Sequence, residues 1–161
     1  MRIGVVSDTH NNLKNVARIV ELFNEAGVEH VVHTGDITQA KTLDVLGGLR
    51  APLVGVYGNN DVERASLDTA TARLGFRFVD PPLQLVWAER RIVVVHDPKE
   101  LRADLREAHD ITLFGHVHSR VIDRDAGRLS FNPGECAGHM PGYNAIGVVD
   151  LATLETELLR F

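Results

Sequence analysis

Short apolar runs alternate with amphipathic stretches through the first half of the chain. The run "IGVV" at residues 3–6 has the length of a buried strand. The stretch "NNLKNVARIVELFNEAG" then places Leu13, Val16, Ala17, Val20 and Phe23 on one helical face, with Asn11 or Asn12 as cap and Gly27 as stop. "EHVV" and "LVGVY" read as the next strands, and between them a helix runs roughly from Ala40 to Leu49, ending at Gly47–Gly48 or shortly after. "DVERASLDTATARLG" reads as a helix stopped by Gly75. Strand–helix alternation of this kind predicts parallel pairing and an α/β fold.

The second half changes character. "LQLVWAERRIVVV" reads as a hairpin turning near Glu89, and "PKELRADLREAHD" as a helix with Pro98 in its first turn and Leu101 and Leu105 spaced by four. After the run "ITLF" come short strands, "RVID", "RLSF", "AIGVVD" and "LETELLRF", separated by the turns "RDAG" and "DLAT". The expected architecture is α/β: two mixed β-sheets packed face to face with helices on the outer faces. Residues 1–161 read as a single domain, with no internal repeat and no linker of biased composition.

Five of the apolar runs end in the same kinds of residue. "IGVVSDTH" ends in Asp8 and His10, "VVHTGD" in Asp36, "LVGVYGNND" in Asn59, Asn60 and Asp61, "IVVVHD" in His96 and Asp97, and "ITLFGHVH" in His116 and His118. Ligand crevices of open α/β sheets lie at the carboxyl ends of the strands, so five endings on one sheet would converge on one site. In an extended chain His116 and His118 would face the same way with Cα atoms about 6.6 Å apart, two steps of roughly 3.3 Å. Imidazole nitrogen with carboxylate or amide oxygen is a donor set for Mn, Fe, Co, Ni or Zn, and four histidines argue against Mg or Ca alone. With Cys136 the only cysteine, a thiolate-rich zinc site is excluded. Seven donors exceed the needs of one four-coordinate ion and suit two ions, about 3.5–4 Å apart, sharing a bridging carboxylate.

Composition narrows the remaining classes. A net charge of −5 makes no case for unspecific nucleic-acid or anionic-membrane binding. One cysteine allows no internal disulfide, which fits a reducing compartment. No apolar stretch approaches the roughly 20 residues of a membrane span, and the N-terminus lacks a signal-peptide core, so a cytoplasmic protein is expected. A phosphate-binding G-x-x-x-x-G-K-[ST] loop and a G-x-S-x-G elbow are both missing from the sequence.

The motifs D-x-H (Asp8, His10), G-D (Gly35, Asp36), G-N-x-D (Gly58, Asn59, Asp61), a lone strand-end His96 and G-H-x-H (Gly115, His116, His118) occur in an order that resembles the calcineurin-like metallophosphoesterase superfamily. The length, and "NPGE" at residues 132–135 in place of N-P-G-S, resemble its small single-domain prokaryotic phosphodiesterase branch. The resemblance implies a four-layer α-β-β-α fold and two divalent metal ions, Mn foremost, with Ni, Fe, Co or Zn as alternatives. Asp8, His10 and His118 would hold the first ion, Asn59, His96 and His116 the second, and Asp36 would bridge both. It further implies hydrolysis of a small phosphodiester by in-line attack of a hydroxide held between the ions, and assembly as a dimer or tetramer. Two divalent ions, two carboxylates and one hydroxide leave a single positive charge, which matches a diester monoanion better than a monoester dianion.

Two positions depart from the family pattern. Asn60 stands where many members carry a His that helps protonate the leaving group, and an amide has no useful acid pKa. A preference for good leaving groups, or protonation by water or another residue, follows. Asp97 replaces the usual Gly after the strand-end His, and Pro98 pushes it toward extended geometry. Asp8 read alone would be a helix cap, Asp61 a cap or a support for neighbouring ligands, His33 a satisfied strand histidine, and Cys136 a distant candidate nucleophile. His139 lies in a loop, "GECAGHMPG", that can border the site. A rival reading is a protein-interaction module on the same metal-binding scaffold, like the phosphoesterase-like subunit of retromer. A nuclease would need a basic groove, for which only Arg120, Arg124 and Arg128 offer material.

Overall fold

The computed structural model describes residues 1–161. Its chain order is β1 (Arg2–Val6), α1 (Leu13–Ala26), β2 (His30–His33), α2 (Ala40–Leu46), β3 (Leu53–Val56), α3 (Arg64–Leu74), β4 (Arg77–Val79), β5 (Leu83–Trp87), β6 (Arg90–Val94), a 3-10 turn at Pro98–Glu100, α4 (Ala103–Ala108), β7 (Ile111–Leu113), β8 (Val121–Asp125), β9 (Arg128–Asn132), β10 (Ala145–Asp150) and β11 (Thr156–Arg160). Six strands form one sheet in the order β11-β10-β1-β2-β3-β4, and five form a second in the order β5-β6-β7-β9-β8. Both sheets are mixed: β1, β2, β3 and β4 run parallel, as do β6, β7 and β9, while β10, β11, β5 and β8 pair antiparallel. The sheets face each other across Ile3, Val5, Val32 and Val56 on one side and Ile92, Val94, Ile111, Leu113, Leu129 and Phe131 on the other. No helix is long and apolar enough to cross a membrane.

Helices lie on both outer faces, three on the six-stranded sheet and the short α4 on part of the five-stranded one, where Val86 stays 70% exposed. Val16, Ile19 and Phe23 of α1, Leu43 and Leu46 of α2 and Leu67 of α3 pack on the six-stranded sheet. The buried stripe of α1 is not quite the expected one: Ile19 carries it and Ala17 is exposed. The larger side chain takes the inward position because it removes more apolar surface from water. Asn12 caps α1 by accepting the Asn15 N–H at 3.2 Å, and Gly27 ends it in the left-handed conformation.

Three expectations need correction. The helix expected from Pro98 to the end of "EAHD" is broken in two, because Leu101 and Arg102 are extended. Leu101 is drawn into a small apolar cluster with Val93, Val95 and Phe114, and that burial outweighs helical continuity over two short pieces. Strand β4 was not legible: three residues after Gly75 carry no period, and its pairing with β3 defines it. The five polar endings do not share one sheet; β1, β2 and β3 belong to the six-stranded sheet and β6 and β7 to the other. They nonetheless meet, because the parallel strands of both sheets deliver their carboxyl ends to the same edge of the sandwich.

Candidate metal centre

Side chains reach this edge from tightly bent loops rather than from extended strand ends. Asp8, His10, Asp36, His116 and His118 all have positive φ, between 39° and 67°. The extended same-face geometry expected for His116 and His118 is therefore wrong; strand β7 has already ended at Leu113. Left-handed residues splay the two imidazoles apart. His116 turns toward His96, with ring centroids 5.1 Å apart, and His118 toward His10, at 5.3 Å. Asp, Asn and His tolerate this conformation better than most residues with a β-carbon.

The residues gather into two groups joined at Asp36. In the first, Asp8 Oδ1 lies 3.7 Å from His10 Nε2 and 3.3 Å from His118 Nε2. In the second, Asn59 Oδ1 lies 3.0 Å from both His96 Nε2 and His116 Nδ1. Asp36 presents one oxygen to each: Oδ2 is 3.3 Å from His10 Nε2 and Oδ1 is 3.5 Å from His96 Nε2. Donors about 2.1 Å from one ion and separated by 90–120° are about 3.0–3.6 Å from each other, and the separations within the two groups run from 3.0 to 3.7 Å. Asp8 Oδ1 and His10 Nε2 are buried and have no hydrogen-bond partner. Unpartnered buried polar atoms are costly, so two of them aimed at one point fit a bound cation.

Surrounding groups fix the donors. His96 Nδ1 lies 2.9 Å from the Thr34 carbonyl, so Nδ1–H donates to it and leaves Nε2 for the site. Asp61 acts as the sequence suggested, as a support: its carboxylate accepts the N–H groups of Asp36 (3.0 Å), Gly58 (2.7 Å) and Thr38 (2.6 Å). His33 Nδ1 accepts the Gly35 N–H at 3.1 Å, and Nε2 faces Thr9 Oγ1 at 3.2 Å. Asp8 is not the cap of α1; its Oδ2 accepts the Ser7 hydroxyl and the His116 N–H. Gly115 packs so closely on Ser7, Asp8 and Thr34 that a β-carbon would overlap them, and one on Gly58 would overlap Asp36.

Electrostatics follow from this crowding. Burial pushes the Asp36 carboxyl up, but hydrogen bonds from His96 and Asn60 overcome it and hold it well below the usual carboxylate range. Burial raises Asp8 as well, and the neighbouring His10 imidazole and the hydrogen bond from Ser7 leave it lowered. Burial depresses His96, yet Asp36 prevails and raises it to about 9; His10 is raised first by Asp8. His33, fully enclosed, is pushed down to about 4 by burial.

The remaining candidates divide. Asn60 donates through its side-chain amide to Asp36 Oδ2 at 2.7 Å and through its backbone N–H to Asp36 Oδ1 at 2.9 Å. Asp97 lies 3.6 Å from His116 Nε2 and caps the 3-10 turn by accepting the Lys99 N–H. Cys136 is fully buried, its thiol pushed up by burial and donating to the Ala145 carbonyl, so it is no nucleophile. Arg120, Arg124 and Arg128 donate to the carbonyls of Tyr143, Leu154 and Glu107 and form no common basic edge. Glu135 was seen only as a motif variant; it is fully buried next to His118 and His139. Its signal was a charged residue where the branch has a small hydroxyl.

Known proteins share the sequence pattern and the fold. Phosphodiesterase MJ0936 of Methanocaldococcus jannaschii is 31% identical over 154 residues, covering 93% of both chains. Phosphodiesterase YfcE of Escherichia coli is 26% identical over 151 residues, covering 83% of this chain and 78% of its own, and its solved structure superposes with a TM-score of 0.73. A solved archaeal phosphodiesterase, 30% identical, covers both chains completely with a TM-score of 0.89. The model of the calcineurin-like phosphoesterase superfamily domain matches residues 1–155. With two donor groups joined by one aspartate at the edge of a two-sheet sandwich, and that match over nearly the whole length, the chain belongs to the calcineurin-like phosphoesterase superfamily.

Proposed function

We propose that the protein is a dinuclear metal-dependent phosphodiesterase that hydrolyses a small diester by in-line attack of water at phosphorus. That it is a metal-dependent phosphoric ester hydrolase follows from the family and from relatives named phosphodiesterases. The dinuclear reading is carried by the pair of donor groups that Asp36 joins, one oxygen toward each. Asp8, His10 and His118 would hold one divalent ion and Asn59, His96 and His116 the other. The mixed imidazole–oxygen set admits Mn, Ni, Fe, Co or Zn, of which Mn is put first on the family resemblance. When bound, such ions supply Lewis acidity toward phosphoryl oxygens and a water of lowered pKa.

The chain's own residues do the positioning. Asp61 and His33 lock the Gly35–Asp36 turn, so that both Asp36 oxygens stay aimed between the groups. The Thr34 carbonyl holds the His96 tautomer with Nε2 inward. Asn60 is occupied with Asp36 and offers no acidic proton, so the alkoxide or phenolate departs with help from water, favouring good leaving groups. The two Asp8 and Asp36 carboxylates leave a modest positive charge with two ions present, which suits a diester monoanion.

The test is hydrolysis of bis-p-nitrophenyl phosphate against p-nitrophenyl phosphate by metal-stripped protein with Mn²⁺ restored, beside Asp36→Asn. Metal-dependent diester turnover, lost in the variant, is expected. No turnover with Mn, Ni, Fe, Co or Zn despite two bound ions would replace hydrolysis by a binding role.

A further inference from the structure

His139 lies beside the first donor group. Its ring centroid is 5.4 Å from that of His118 and 5.6 Å from that of His10, while His10 and His118 are 5.3 Å apart. The three imidazoles form a nearly equilateral triangle. A ring bound through nitrogen at about 2.1 Å has its centre about 3.2 Å from the ion, so these separations correspond to angles of about 110–120° around one point. That spread leaves room for three imidazoles around one ion once His139 turns, since its ring now lies nearly parallel to that of His118, at 10°.

The loop that carries His139 is built. Glu135, fully buried, accepts the Gly138 N–H at 3.0 Å and the Met140 N–H at 3.3 Å, gripping the residues on either side of His139. Asn12 donates to the Ala137 carbonyl and Asn15 to the Cys136 carbonyl, both at 2.8 Å, tying the loop to the start of α1. The Cys136 N–H donates to the Asp8 carbonyl at 3.1 Å, tying it to the first group itself. A buried carboxylate spent on two backbone N–H groups is a strong device for shaping a loop. Donor atoms of His118, Glu135 and His139 lie within 4.8 Å of one another, so the loop sets His139 beside His118, one member of the first group. His139 itself is exposed and its ring can turn without disturbing the core.

We infer that His139 is an additional ligand of the ion held by Asp8, His10 and His118, presented by a loop that Glu135 shapes. The inference rests on the proposed dinuclear centre. Its consequence is an ion with four protein donors besides Asp36, more tightly held than its neighbour.

The experiment is Co²⁺ titration of metal-stripped wild-type protein, His139→Ala and His139→Asn, followed by calorimetry and by the visible absorption of the cobalt. Wild-type protein should bind two ions with distinct affinities. His139→Ala should weaken the tighter ion at least about tenfold and change the cobalt spectrum, leaving the weaker ion unaffected. His139→Asn, with a shorter oxygen donor, should weaken it less or equally but also alter the spectrum. Two ions in the wild type with unchanged affinity and spectrum in both variants would overturn the inference, even if diester turnover fell, since His139 would then serve the substrate. Failure of the wild-type protein to bind two ions would instead sink the dinuclear centre on which the inference rests.

Discussion

Asp8, His10, Asp36, His116 and His118 each hold a backbone conformation that costs a residue with a β-carbon about 1–2 kcal/mol. Five such positions in one site mean that the loops are held bent by their surroundings, chiefly Asp61, His33 and the close approach of Gly58 and Gly115. In the metal-free protein, His118→Gly should therefore be more stable than His118→Ala by about 1 kcal/mol although both lose the imidazole. Thermal unfolding of the two variants side by side checks this, and equal midpoints would show that the bend carries no strain. Asn60 supports a second prediction. Asn60→His should raise turnover of diesters with poor alkoxide leaving groups at least tenfold and leave bis-p-nitrophenyl phosphate nearly unchanged, because only the former need a proton. Steady-state rates across a leaving-group series decide it, and an equal change in both would place the histidine elsewhere. The identities of the donors were legible because side-chain chemistry is written residue by residue. Their directions were not: whether His116 and His118 face the same way depends on φ, and nothing in "GHVH" states that its histidines are left-handed.

At the scale of elements, the start of α1 links fold and site. Asn12 closes the first turn through Asn15 and holds the site loop through Ala137. Asn12→Ala should cost about 1 kcal/mol from the cap alone, with a further loss from the freed loop. Denaturant unfolding measures the sum, and Asn12→Ser, which can still cap, should recover part of it. No recovery would mean that the loop tie, not the cap, is what Asn12 contributes. Long elements with clear periods were legible: α1 with its Asn12 cap and Gly27 stop, α3 ending at Gly75, and the hairpin of β5 and β6 turning at Ala88 and Glu89. Elements decided by tertiary contact were not. Leu101 breaks a helix because a cluster of four buried residues needs its side chain, and β4 exists because β3 offers it an edge.

The whole molecule answers to pH through the same buried groups. His33 is depressed to about 4 against roughly 6.5 when unfolded, so its contribution is present above pH 6.5 and lost as pH falls through 4. The amount is ~3 kcal/mol, from 1.36 kcal/mol per unit. His96, raised to about 9, acts in the opposite sense: its contribution is present below pH 6.5 and lost as pH rises through 9. Metal-free protein should lose stability between pH 6.5 and 4, and His33→Asn should flatten that slope; urea unfolding at several pH values measures it, and an unchanged slope would remove His33 from the account. The layering of the molecule was legible from strand–helix alternation, but the division of the five polar endings between two sheets was not. Register and sheet membership are set by pairing across the chain, as when β9 and β10 return to β7 and β1.

The most direct measurement is anomalous diffraction at the manganese edge from crystals of Mn²⁺-loaded protein. Two peaks about 3.5–4 Å apart are expected, one among Asp8, His10 and His118, the other among Asn59, His96 and His116, with Asp36 between them. A single peak, or ions bound away from Asp36, would contradict the dinuclear centre.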